Sequence, residues 1–173
     1  GVSKVAVLEK GYLGSGNSGR NTAILRANYR TAEAIPFYAE SLKLYEDLSS
    51  ALEYNLLFSQ QGHLTGAHSD SAVNGLQVRA EANKVLGVDS RMIDPKDIKR
   101  LVPTIDISSA PRYPIQAALY HPPGGIIRHD AVVWGYAQKA GQMGVEIHPH
   151  TEVTGIEEKG GRIVSVRPTR GEI

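Results

Sequence analysis

The stretch Val5-Ala6-Val7-Leu8-Glu9-Lys10-Gly11, followed by Gly14-Ser15-Gly16-Asn17-Ser18-Gly19-Arg20-Asn21, decides how the rest of the chain is read. Four apolar residues closed by an acidic one, then a run rich in Gly, Ser and Asn, predict a short strand entering a loop. A strand ending in Glu has the form of the second strand of a dinucleotide-binding βαβ unit, where the acid accepts hydrogen bonds from ribose hydroxyls. Buried parallel strands also end in a charge where they reach solvent, and such a loop is also what a solvated polar turn looks like. Gly14 to Gly19 spells G-x-G-x-x-G, but it follows Glu9 where a phosphate-binding fingerprint has to precede it, so as a fingerprint the match is accidental. The first strand, its glycines and the phosphate-binding helix are expected ahead of Gly1, which leaves no room here for a complete nicotinamide dehydrogenase.

Outward from this stretch the pattern is that of a mixed α/β chain without internal repeats. From Ala32 to about Leu52, Tyr38, Leu42, Tyr45, Leu48 and Leu52 recur at three- and four-residue intervals and predict a long helix with Pro36 in its first turn. Leu56 to Ala67 reads as one or two strands, and Ser69 or Asp70 can cap a second helix running to Leu86. Asp94-Pro95 starts a short helix that stops before Pro103, and Gln116 to Tyr120 is a further strand. After the Pro122-Pro123-Gly124-Gly125 turn, a third long helix begins near His129 or Asp130, with Val133, Tyr136, Ala137, Ala140 and Met143 as its apolar stripe. Val145 to Ile147 is a strand, and Glu152–Glu157 with Arg162–Arg167 form a hairpin about Gly160-Gly161.

Composition narrows the function classes. The 173 residues are 41% hydrophobic, enough for a core, and 19 basic against 18 acidic residues without long runs give no reason to expect nucleic acid or an anionic membrane. No apolar stretch approaches the roughly 20 residues of a membrane helix, so a soluble, cytoplasmic protein is expected. The absence of cysteine excludes disulfides and thiol chemistry. His148 and His150 stand two apart on a strand without a convincing third ligand, so no metal site is expected and they read as surface histidines.

The opening stretch resembles the second strand and flavin loop of the D-amino-acid oxidase and sarcosine oxidase superfamily. Closer similarity, to its branch of heterotetrameric sarcosine oxidase β subunits, runs through Asn55-Leu-Leu-Phe-Ser-Gln-Gln-Gly62, Arg112-Tyr-Pro114 and above all Gly124-Gly-Ile-Ile-Arg-His-Asp-Ala-Val-Val-Trp-Gly-Tyr-Ala137, with Thr151-Glu-Val-Thr-Gly-Ile156 in the same order. The resemblance implies a partial FAD-binding, Rossmann-like domain interleaved with part of a substrate domain, its first βα unit missing. Residues 1–54 and 115–173 would be mainly flavin-side and 55–114 mainly substrate-side. It further implies oxidative demethylation of sarcosine or a related N-methyl amino acid by a parent protein assembled with other subunits.

By the same resemblance Glu9 would hold ribose. Lys10 and the loop residues Gly14, Ser15, Gly16, Asn17, Ser18, Gly19, Arg20 and Asn21 would lie along the pyrophosphate and flavin. His129, between Arg128 and Asp130, would be the covalent attachment point of FMN; the alternative is a histidine merely starting a helix. His121 ranks second for attachment. A neutral imidazole nitrogen can attack an oxidised flavin methyl position, and Arg128 can favour reduced flavin or bind phosphate. No acid or base is assigned, and the holders of substrate carboxylate are expected largely beyond Ile173. The chain alone is expected to be inactive, without FAD, and to form a dimer through the strand edge left open before Glu9. A non-catalytic folding or assembly module is the alternative.

Overall fold

The computed structural model describes residues 3–170, which divide into two compact units. The first contains the segment up to Thr22, Ser49–Leu57 and the segment from Arg128 onward; the second contains Ala23–Leu48 and Phe58–Ile127.

In the first unit, β1 (Ala6–Leu8) pairs in parallel with β7 (Glu146–His148), Ala6 opposite Glu146 and Leu8 opposite His148. Parallel neighbours need a crossover between them, and its last piece is α4 (His129–Gln142). The expected apolar stripe on α4 is not the buried one: Ala131 and Gly135 are buried, whereas Tyr136 and Met143 are exposed. The cause is close packing. A Cβ on Gly135 would stand 3.2–3.3 Å from Leu52, Tyr54 and Leu56, so only small residues fit between α4 and the end of α1 (Ala34–Leu52). The Lys139–Glu53 ion pair, 2.5 Å, ties the same two segments.

The unit closes with an antiparallel hairpin of β8 (Val153–Lys159) and β9 (Arg162–Pro168). Its turn residues Gly160 and Gly161 have φ of +61° and +76°, the left-handed pair that a two-residue hairpin turn demands and glycine supplies without a Cβ penalty.

In the second unit, β5 (Ala117–His121) is the centre of a three-stranded antiparallel sheet, flanked by β3 (His63–Ala67) and β4 (Arg91–Ile93). Only one strand forms in the Leu56–Ala67 stretch; upstream of it, Ser59 makes a single antiparallel bridge to Ile126. A small second ladder joins β2 (Ile24–Leu25) to β6 (Gly125–Ile126), so Gly125, expected in a turn, opens a strand. The helix α2 (Asp70–Val85) is capped by Ser69, whose hydroxyl accepts the Ala72 N–H at 3.2 Å, and covers β5. Asp94 caps α3 (Pro95–Leu101) through the Asp97 N–H at 2.8 Å, with Pro95 in the first helical position. Leu76 and Ala80 of α2 pack with Ala67 and Leu119, and Ile35 and Leu42 of α1 pack with Ala27 and Val88.

Candidate functional site

Glu9 leaves β1 held on both sides by backbone. Its N–H donates to the His148 carbonyl at 3.1 Å, and its carbonyl accepts the Thr151 N–H at 2.8 Å. One side-chain oxygen, Oε1, accepts the Gly11 N–H at 2.7 Å and, at 3.4 Å, the Ser15 hydroxyl. The carboxylate therefore organises the loop that follows it, while Oε2 has no hydrogen-bond partner among the described residues.

The loop folds back on itself. Gly14 has φ +88°, and a Cβ on Gly19 would lie 2.2 Å from the Gly14 carbonyl oxygen, so both positions exclude ordinary side chains. Asn17–Gly19 form one 3-10 turn, which Asn21 ties down by donating its amide to the Ser18 and Asn17 carbonyls at 2.7 and 3.2 Å. Asn21 thus serves the loop's own carbonyls. Lys10, Asn17, Ser18 and Arg20 are exposed, and Gly16 faces open space.

His129 is the first residue of α4. The helix start is fixed from behind by the Arg128 N–H, which donates to the Leu56 carbonyl at 3.2 Å. Arg128 and Asp130 reach past His129 to form a two-pronged pair, Nε to Oδ1 at 3.2 Å and Nη2 to Oδ2 at 2.7 Å. That hydrogen-bonded guanidinium holds the Asp130 carboxyl below the usual carboxylate range, and Asp130 in turn raises Arg128. Asp130 also accepts the Ala131 N–H at 2.9 Å and complements the positive end of the helix.

The loop and the helix start meet. Gly14, Ser18 and Gly19 from the loop and His129, Asp130 and Trp134 from α4 line one depression of about 240 Å³, with Tyr12 also on its wall. A Cβ on Gly14 would touch Val133 at 3.8 Å. Of the cofactor residues singled out in the sequence, Gly14, Ser18, Gly19 and His129 are brought together here, whereas Glu9, Lys10, Ser15, Gly16, Asn17, Arg20 and Asn21 do not line the depression. Tyr12 and Trp134, both half exposed or more, are wall residues that sequence reasoning passed over, although Trp134 stands in the quoted helix motif.

His121 is elsewhere and differently employed. It lies in the second unit, 1% exposed, with Nε2 accepting the Ala27 N–H at 3.1 Å and Nδ1 placed 2.6 Å from the Asp89 carbonyl. Those partners require a neutral ring protonated on Nδ1. With its one lone pair engaged, the ring has no free nitrogen for attachment to a flavin. Burial pushes its pKa below the ordinary histidine value.

A second depression, of about 180 Å³, is missed altogether by sequence reasoning. Arg26, Tyr29, Tyr38 and Tyr45 line it. The Arg26 guanidinium lies 4.5 Å from the Tyr29 ring centre, and Tyr29 stacks on Tyr38 at 3.8 Å. Among the described residues Arg26 meets no carboxylate. A guanidinium without a protein counter-charge, in a depression walled by tyrosines, suits a small organic anion.

Comparison with known proteins gives a consistent result. The family model described as DAO, FAD dependent oxidoreductase, matches residues 1–173. Over all 173 residues the chain is 45% identical to the sarcosine oxidase subunit beta of Rhodobacter capsulatus, covering 42% of it, and 46% identical to that of an Arthrobacter species, covering 43%. It thus spans about two fifths of the length of these curated relatives. Among solved structures, L-proline dehydrogenase from P. horikoshii superposes with a TM-score of 0.84 at 26% identity, over 99% of this chain and 44% of that one. Glycine oxidase from Bacillus cereus shares the fold at a TM-score of 0.83 and 19% identity, over 98% and 47%.

Proposed function

We propose, because this chain belongs to the FAD dependent oxidoreductase family, that it is an interior segment of a flavin amine oxidase whose whole protein demethylates sarcosine or a related N-methyl amino acid oxidatively. The observation that carries this reading is the meeting of the glycine loop and the His129 end of α4 on one depression. A flavin cofactor fits these residues. Oε2 of Glu9 is open to a ribose diol, and at Gly16, which faces open space, the backbone carries no side chain that would hold a phosphate away.

In this reading Glu9 holds the FAD ribose. Lys10 and the run from Gly14 through Ser15, Gly16, Asn17, Ser18, Gly19, Arg20 and Asn21 follow the pyrophosphate and flavin. His129 carries FMN covalently, and Arg128, steadied by Asp130, supplies positive charge beside it. Bound flavin supplies the two-electron acceptor for the carbon next to the amine nitrogen. Arg26 takes the substrate carboxylate, and Tyr29, Tyr38 and Tyr45 wall the depression around the rest of the molecule. Residues 1–54 and 115–173 are mainly flavin-side and 55–114 mainly substrate-side, the partners are the other subunits of a sarcosine oxidase-like assembly, and the whole works in the cytoplasm.

The test is made on the whole protein purified with its partner subunits. Flavin absorption, sarcosine-dependent formaldehyde release, and one flavin that stays with the polypeptide after acid precipitation are expected. His129→Ala removes the acid-stable flavin, whereas His121→Gln keeps it. A colourless protein, or acid-stable flavin surviving in His129→Ala, would overturn the reading.

A second reading concerns the chain by itself as an assembly module without cofactor. It is favoured by the two-stranded β1–β7 sheet, where Val7 and the preceding Val5 stay 44% and 37% exposed beside a strand edge that is unpaired among the described residues. Such a chain stays colourless when FAD is added, and forms a dimer that sedimentation velocity detects.

A further inference from the structure

The segment from Arg26 to Arg30 has no regular secondary structure, yet Ala27 and Asn28 are 2% and 0% exposed. Buried irregular backbone needs partners for its polar groups, and here three consecutive residues receive them from side chains. The Ala27 N–H goes to His121 Nε2 at 3.1 Å. The Asn28 carbonyl accepts from Arg79 Nε at 2.5 Å and also from Arg79 Nη2. The Tyr29 carbonyl accepts from Asn83 Nδ2 at 3.1 Å, and the same amide holds the Arg79 carbonyl at 2.6 Å.

Arg79 and Asn83 are four apart on α2 and therefore share a face. That face is turned to the backbone that carries the Arg26–Tyr29 pair. The link continues outward, since Arg26 Nη1 lies 3.5 Å from Asn28 Oδ1, on the residue whose carbonyl Arg79 grips. Arg79, 7% exposed, has no carboxylate partner among the described residues, and burial with the charges of Arg26 and Arg30 pushes its pKa down to about 10. A buried, uncompensated cation is costly. The charges of Arg26 and Arg30 act on Arg79, and of the three it is Arg26 that presents positive charge to the depression.

We propose that Arg79 and Asn83 are positioning residues for substrate binding, fixing the Asn28–Tyr29 backbone so that Arg26 and Tyr29 are preset for a small amino-acid carboxylate. This inference rests on the assignment of Arg26 to the substrate carboxylate. The arrangement performs no chemistry of its own; its effect is preorganisation, which appears in binding ahead of turnover.

The test uses the whole protein with its flavins and subunits, and three variants: Arg26→Met, Arg79→Lys and Asn83→Ala. Arg79→Lys keeps the charge and loses the fork; Asn83→Ala is the milder change and covers the case in which the first fails to fold. For each, KM and kcat with sarcosine, flavin content and melting temperature are measured. The expected result is a KM raised about 10-fold in Arg79→Lys and Asn83→Ala, with kcat within about threefold and flavin content unchanged. Inhibition by acetate should weaken in step. If Arg26→Met raises KM while Asn83→Ala and every folded Arg79→Lys preparation leave it unchanged, the positioning role is wrong and the substrate site stands. If Arg26→Met itself leaves KM unchanged, the site assignment is wrong and the positioning role falls with it. Loss of flavin and melting temperature with KM and kcat intact for the remaining holoprotein would show a merely structural role.

Discussion

Replacing His121 by Leu tests whether the second unit depends on one neutral imidazole. Leucine has a comparable apolar bulk but neither acceptor nor donor, so the Ala27 N–H and the Asp89 carbonyl both lose their side-chain partner in a region where His121 is 1% exposed. An orphaned buried polar group costs about 1–3 kcal/mol, and part is returned by the added apolar burial, which leaves a net loss of about 2–4 kcal/mol. With a urea dependence of about 1–3 kcal/mol per molar, the unfolding midpoint should fall by about 1–2 M. The pH dependence gives an independent reading. His121 is held below its ordinary pKa chiefly by burial, and His63, half-buried, is pushed down to about 4 by partial desolvation and by the charges of Arg26, Arg79 and His121. The unfolded chain therefore takes up these protons first. The stabilisation is fully present above about pH 6.5 and is lost as pH falls toward the folded-state values, with a slope of about 1.4 kcal/mol per pH unit for each histidine. His121→Leu should remove one of the two contributions. Urea unfolding between pH 5 and 8 measures both effects; a midpoint shift below about 0.3 M, or an unchanged slope, would refute the reasoning.

Three further outcomes are expected. Gly125→Ala should destabilise by about 2 kcal/mol or more in urea unfolding, because its Cβ would stand 2.4 Å from the Ser59 carbonyl oxygen and 2.9 Å from Gln60 Cα, both backbone atoms. Asp94→Ala removes the cap on the Asp97 N–H and should cost about 1 kcal/mol in the same assay. In the whole protein, Glu9→Ala should weaken FAD binding at least about tenfold by loosening the Gly11 turn and removing the ribose acceptor, measured by flavin fluorescence titration; unchanged affinity would remove Glu9 from the site.

Local chemistry made much of this architecture legible. The strand before Glu9, the Ser69 and Asp94 caps, and the Gly160-Gly161 hairpin each depend on residues a few positions apart, and all form where their sequence signals stand. The two-residue strands β2 and β6 carry no period, and exist only because distant segments meet. On α4 the usual guide failed because close approach selects Ala131 and Gly135 over larger apolar residues. On α2 the buried positions Leu76, Arg79, Ala80 and Asn83 have helical spacing, but half are polar, so they form no apolar stripe that a hydrophobic period could reveal. The Arg26–Tyr29 depression was hidden for the same reason, since what shapes it is side-chain capture of backbone from remote positions. The meeting of His129 with the glycine loop was not legible, since the resemblance gave the loop to FAD and His129 to FMN and no spacing rule connects them.

The parallel register of Ala6 with Glu146 and Leu8 with His148 also constrains the order of events at the ribosome. β1 leaves the ribosome well before β7 and cannot pair with it until every residue between Leu8 and Glu146 has been made, a long wait for an apolar edge. Every residue of the second unit is synthesised within that interval. Its sheet can therefore be complete before the glycine loop and α4 are joined, so the two walls of the depression that they line come together only after the second unit has emerged.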